Sequence, residues 1–236
     1  WFDNVDDYKK SFFVVVGEDG HLEIGLTKDQ HIYSDWTCIA DLKLEYYGKV
    51  TYGEPKDLII NEVMANNIDV YLDASSNYGT WFEIYNPTDK FISLGGLYVS
   101  SDATNLKQHR LVDNYGYIAP YSYAVISYDH YEVFTQNAFH QINDKLDIDG
   151  GEIYLSDGDN VYASLVYPVA LPRISYARTT DGGDTWGYTG TPTPEGSNNG
   201  STFATYQLAN PTVSSDGGLF TGSVSFHVSI PSGATL

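Results

Sequence analysis

The chain has 236 residues, 42% of them hydrophobic and 15% aromatic, which is apolar mass enough for real cores and excludes a globally disordered chain. Twelve Lys and Arg stand against 31 Asp and Glu, a net charge of −19, and such a surface repels phosphate backbones and anionic lipid headgroups. Cys38 is the single cysteine, so internal disulfides are excluded, and its apolar surroundings (Trp36, Ile39, Ala40) read as those of a buried, inert thiol.

Short alternating runs between Gly, Asp and Asn turns recur along the chain, a pattern that predicts an all-β protein. In residues 1–48, Ser11-Phe12-Phe13-Val14-Val15-Val16 and Leu22-Glu23-Ile24-Gly25-Leu26 flank a Gly17-Glu18-Asp19-Gly20 turn and read as a hairpin. With Asp41-Leu42-Lys43-Leu44-Glu45-Tyr46-Tyr47-Gly48, this block resembles the last strands of galactose-binding-like jelly rolls in surface proteins of gut Bacteroidetes. Residues 49–56, punctuated by Gly53 and Pro55, read as a linker.

The central region opens with Leu58-Ile59-Ile60-Asn61-Glu62-Val63-Met64-Ala65-Asn66-Asn67 and Trp81-Phe82-Glu83-Ile84-Tyr85-Asn86-Pro87. Each is an apolar run with a glutamate inside it, closed by turn chemistry. Phe91-Ile92-Ser93-Leu94 and Leu97-Tyr98-Val99-Ser100 are split by Gly95-Gly96, a corner where side chains are disfavoured. Ile118-Ala119-Pro120 leads into the apolar Tyr123-Ala124-Val125-Ile126. One short helical turn is expected within 129–136. Gly150 to Leu155 and Val161 to Pro168 predict a hairpin across Asp157-Gly158-Asp159-Asn160. Ser175-Tyr176-Ala177-Arg178, Trp186 and Thr191-Pro192-Thr193-Pro194-Glu195-Gly196-Ser197-Asn198 close the region.

In this order the segments over residues 57–198 resemble a lamin tail domain. The resemblance implies an immunoglobulin-like β-sandwich used for adhesion and not for chemistry. One departure is Glu195, standing between Pro194 and Gly196 where a direct Pro-Gly step is commoner. Residues 199–236, from Ala209-Asn210-Pro211 through Val224-Ser225-Phe226-His227-Val228, resemble the start of the small immunoglobulin-like sandwich appended to chitobiase-type hexosaminidases. The chain opens at Trp1 and breaks off inside a strand-like run, so it is expected to be a piece of a longer secreted or bacterial surface protein whose catalytic unit, if any, lies elsewhere.

Glu62 and Glu83 are the carboxylates that invite a chemical role. Alternate strand residues share a face, which puts Glu83 with Trp81 and Tyr85, and Glu62 with Leu58 and Ile60. Buried acids need a partner or a proton. The functional alternatives are a general acid/base pair or a cation site. The preferred reading is structural: each accepts backbone N–H or Tyr hydroxyl bonds and pins a sandwich corner.

Asp144, Asp147 and Asp149 offer oxygens to calcium, as do Asp157 and Asp159, or Asp181 and Asp184, but none has EF-hand spacing and turn formation explains them. His21, His31, His109, His130, His140 and His227 show no metal-ligand spacing. No Gly-x-Ser-x-Gly elbow and no phosphate-binding glycine loop is present, and no cofactor is expected. Lys107, His109 and Arg110 form only a thin basic cluster. Tyr115, Tyr117, Tyr121, Tyr128, Tyr131 and Trp186 are candidates for stacking on sugar rings if exposed. The expected function is thus a non-catalytic spacer or adhesion module that contacts neighbouring domains of its own polypeptide. A carbohydrate-binding module is the alternative, and nucleic-acid contact, by lamin-tail analogy, is a second that the charge opposes.

Overall fold

The computed structural model describes residues 48–73, 77–112, 116–128, 141–205, 211–214, 218–219 and 221–232, with Val16, Leu22, Lys43 and Leu44 as isolated positions. The expected hairpin over 11–26, Cys38, the helical turn within 129–136, Tyr115 and Tyr131 lie outside the described residues.

Among the described residues, a 3-10 turn (Pro55–Asp57) is followed by fourteen strands: β1 (Ile59–Met64), β2 (Thr80–Tyr85), β3 (Ile92–Ser93), β4 (Tyr98–Ser100), β5 (His109–Arg110), β6 (Tyr117–Ile118), β7 (Tyr123–Tyr128), β8 (Gln141–Ile142), β9 (Gly151–Ser156), β10 (Val161–Tyr167), β11 (Ser175–Arg178), β12 (Trp186–Thr189), β13 (Thr212–Val213) and β14 (Val228–Ser229). A six-stranded sheet runs β12-β11-β1-β2-β7-β8 and a four-stranded sheet runs β10-β9-β4-β5. Every pairing between named strands is antiparallel except β7 with β8. The chain therefore forms the expected all-β, immunoglobulin-like sandwich.

The core lies between the sheets. Ile60, Phe82 and Ile126 from the large sheet meet Val99, Ile153 and Leu155 from the small one, all at or near zero exposure. Burying each such side chain contributes roughly 1.5–3 kcal/mol, which is what holds the layers together. The β9–β10 hairpin forms as its sequence predicts. The Asp157 carboxylate accepts the N–H groups of Asp159 and Asn160, the Asn160 amide and the Tyr162 hydroxyl, so it fixes the turn. At the corner between β3 and β4, Gly96 takes φ +79, a conformation open to glycine and costly for most other residues.

Asn86 ties down the exit of β2. It is fully buried, and its Nδ2 donates to the carbonyls of Lys90 (2.7 Å), Ile118 (3.1 Å) and Ala119 (2.9 Å). Its Oδ1 accepts the N–H (3.0 Å) and hydroxyl (2.8 Å) of Thr88. Next to this tie, Phe91 exchanges backbone bonds with Thr51 and Gly53, so residues read as linker lie against the sandwich.

The outer face of the six-stranded sheet is not bare. Met64, Trp81 and Val125 form a second buried cluster there, with Val70 and Tyr71 packed on it. Beside them, residues 190–199 cross the sheet as a strap, and the chain then returns to β12, where Tyr188 and Ala204 exchange backbone bonds of 2.8 and 2.9 Å.

Candidate functional site

Beneath the strap lie Glu62 and Glu83, both at 0% exposure. They are directly opposite one another on β1 and β2 because the register slips between Ile60 and Glu62. That slip is a β-bulge at Asn61, and it corrects the predicted face of Glu62. Strict alternation places Glu62 with Leu58 and Ile60. The extra residue instead turns Ile60 and Val63 into the main core while Met64 joins the outer-face cluster, so Glu62 sits with Glu83 and Trp81 on the outer face. Glu83 does share the face of Trp81, as alternation predicts. Two polar residues side by side in an apolar run, Asn61 and Glu62, are the sequence signal that could have announced the bulge.

Every oxygen of the pair has a partner. Glu62 takes the Ser175 hydroxyl in a very short contact and the Thr193 N–H at 3.2 and 3.3 Å. Thr193 Oγ1 lies 3.1 Å from Glu62 Oε2 and 2.7 Å from Asn198 Oδ1. Glu83 accepts the Glu195 N–H at 2.7 Å and the Asn61 amide at 3.2 Å. The second N–H of that amide reaches Asp181 Oδ1 at 3.1 Å, and Asn61 Oδ1 accepts the N–H of Gly182 at 3.2 Å. Asp181 also accepts the Tyr123 hydroxyl (2.8 Å), the Asn198 N–H (2.9 Å) and the Ser197 hydroxyl. The Asn198 amide closes the ring by donating to the Asn61 carbonyl at 3.2 Å.

The electrostatics follow from this geometry. Burial raises the Glu62 carboxyl, against the opposing donors of Ser175 and Thr193. Burial and then the neighbouring Glu62 charge push Glu83 well above the ordinary carboxylate range. Asp181 behaves differently. Burial pushes it up, but donors from Ser197, Asn198, Asn61 and Tyr123 together outweigh burial and hold it below the usual range. No Lys, Arg or His among the described residues bonds Glu62 or Glu83. Arg178 on β11 donates to the carbonyls of Ile60 and Gly183 and sits 4.8 Å over the Trp186 ring.

Glu195 explains its own oddity in the sequence. It adopts φ +61, the left-handed region in which glycine is at ease. Its N–H bond to Glu83 and its carboxylate bond from the Tyr71 hydroxyl (2.9 Å) hold it there. Glu195→Gly is expected to leave stability within about 1 kcal/mol, since relief of the left-handed backbone offsets one lost hydrogen bond. Glu195→Val is expected to cost about 2 kcal/mol, because a β-branched residue resists that backbone. Thermal melts of the two variants check this.

The other predicted sites are scattered. Asp144 bonds His109 (3.2 Å) and Gln108 (3.4 Å), and Asp147 accepts the Asp149 N–H. Among the described residues no three His, Cys, Asp or Glu side chains are grouped to hold a metal ion. Of the aromatic candidates, Tyr128 is buried at 4% exposure in the core and presents no face to a sugar, which corrects its reading. Trp186 stacks on Tyr176 at 5.2 Å and carries Arg178 over its ring, and Tyr117 is half-buried with its ring 5.6 Å from that of Tyr52. Tyr121 is exposed. A crevice lined by Val63, Ala65, Tyr167, Ala170 and Ile174 has a volume of about 10 Å³. A hollow of about 430 Å³ between Lys49–Thr51, Asp89, Phe91, Ala119, Pro120 and Ser122 is open, and holds no acid–base pair beyond Lys49 and Asp89. The partners of Glu62 and Glu83, namely Asn61, Ser175, Thr193 and Glu195, are not legible as a set, because up to 131 residues separate them along the chain.

Set against known families, residues 53–168 match the model of the lamin tail domain. No curated protein and no solved structure matches the chain. The matched segment ends at Pro168, the first residue after β10, so β11, β12 and the strap lie beyond it although β11 and β12 complete the same sheet.

Proposed function

Residues 53–168 belong to the lamin tail domain family, a non-catalytic immunoglobulin-like fold, and from that premise we propose that the protein is a spacer or adhesion module of a secreted or surface-anchored bacterial multidomain protein. One observation carries this reading. Two buried carboxylates, Glu62 and Glu83, hold the strap to the sheet, closed from solvent and from any cleft a substrate could enter. Perturbed carboxylates often mark catalysis, but ion-free structural networks perturb them equally, and here every partner is a structural donor. The net charge of −19 supports a module that stays soluble and apart from nucleic acid.

The full chain is expected to give no turnover of glycoside, ester, phosphoester or peptide substrates above buffer. It is also expected to show no retention on host or plant polysaccharides. Turnover at enzyme-like rates would overturn the proposal. Retention lost on Tyr121→Ala would instead favour the sugar-binding alternative, since Tyr121 is the described aromatic candidate whose ring is most exposed.

A further inference from the structure

The hydrogen bonds beneath the strap can be counted proton by proton. The Asn198 amide donates to the Asn61 carbonyl, so its Oδ1 faces Thr193. The reversed amide would set Asn198 Oδ1 against the Asn61 carbonyl, two acceptors with no proton between them. The Thr193 hydroxyl must therefore give its single proton to Asn198 Oδ1, at 2.7 Å. None is left for Glu62 Oε2, 3.1 Å away. That contact is a hydrogen bond only if Glu62 supplies the proton. Glu83 differs, because both of its oxygens face N–H donors, those of Asn61 and Glu195, whose directions are fixed.

We infer that residues 190–199 are a pH-sensitive latch, locked to the sheet by one proton held by the Glu62–Glu83 pair, at Glu62 Oε2 where it faces Thr193, and released when that proton is lost. The groups facing the pair are acidic or phenolic on every side. They are Asp181 from the β11–β12 turn, Glu195 from the strap, Tyr123 from β7 and Tyr71 from the loop after β1. Arg178, the cation on β11, is committed to Ile60, Gly183 and Trp186. Losing the proton therefore sets two carboxylates face to face across adjacent strands with no cation bonded to either, and breaks the Glu62–Thr193–Asn198 chain.

The direction of the pH effect is fixed by burial. A carboxyl raised in the folded state keeps its proton to higher pH than in the open state. Its contribution to closure is complete below the ordinary carboxylate range. It is lost as pH rises through the folded-state value. The latch loosens towards alkali, whereas an ordinary paired carboxylate weakens towards acid.

Amide hydrogen exchange on the full chain between pH 5 and 9.5 tests this. Protection of Thr193, Glu195 and Asn198, corrected for intrinsic exchange, is expected to fall up to about tenfold per pH unit above the pair's titration, the slope of a single proton. Leu155 in the small sheet should not follow. Glu62→Gln, which keeps a donor facing Thr193 without a titrating proton, should hold strap protection flat across the range. Protection that is independent of pH in the wild type would overturn the inference. So would Glu62→Gln losing strap protection at every pH while Leu155 stays protected. Should that variant fail to fold, carbon-13 labelling of glutamate in the wild type decides. A carboxyl resonance titrating above the ordinary carboxylate range supports the latch, and all resonances titrating within that range sink the idea.

Discussion

A fragment trimmed to residues 53–168 is expected not to fold, while residues 48–205 fold cooperatively. The shorter fragment ends where the family match ends, yet β1 needs β11 as its neighbour and the outer face needs the strap. Trimming removes two of six strands from one sheet, the buried Ala177, Ser175 and Thr189, and the packing of Tyr176 and Trp186 against the main core. It also strips Glu62 and Glu83 of the donors from Ser175, Thr193 and Glu195. Ionised and opposite one another, they then repel across the strand pair. Domains of this size keep only about 5–15 kcal/mol in hand, and losses of this kind exceed it. Urea titrations followed by tryptophan fluorescence separate the outcomes. A cooperative transition in the 53–168 fragment would show that the strap and the last two strands are dispensable.

Asn86→Ala is expected to cost about 3 kcal/mol, the largest loss from any single polar truncation in the domain. The side chain donates to three carbonyls and accepts from Thr88, so its removal leaves several buried groups without partners at about 1–3 kcal/mol for each fully orphaned one. It also cuts the tie between the exit of β2 and the β6–β7 connection. Asn86→Asp discriminates further. The shape is kept, but the donor becomes an acceptor aimed at carbonyl oxygens, so destabilisation is expected to be greater at pH 7 than at pH 4, where the acid can carry a proton. Denaturant midpoints at the two pH values measure the difference. An Asp variant that is equally stable at both would mean the site opens to water.

The apolar runs around Glu62 and Glu83 announce β1 and β2 because alternation and closing turn residues are local properties of a strand. Gly95-Gly96 and Asp157-Gly158-Asp159-Asn160 likewise carry their turns in their own chemistry. The strap does not announce itself. Thr191 to Asn198 contains little but turn formers, and its role depends on donors aimed at carboxylates more than a hundred residues earlier. Glu62 was assigned to the wrong face for a related reason. A single bulged residue inverts every later side chain in the strand, and alternation alone carries no marker of where the inversion occurs. Tyr128 is a stacking candidate in the sequence only on the condition of exposure, and tyrosine composition does not reveal which side of a strand meets the core.

The small sheet ends on β10, Val161 to Tyr167, and among the described residues nothing pairs with its outer side. Its seven side chains include no charge and no proline, the two usual guards against one molecule adding itself to the rim of another. A bulge near Val161 is the one local irregularity. The guard that remains against such addition is global, the net charge of −19, whose field reaches about 10 Å at 0.1 M salt. In brine or in acid, where that field collapses, association of like molecules through this rim is the expected outcome.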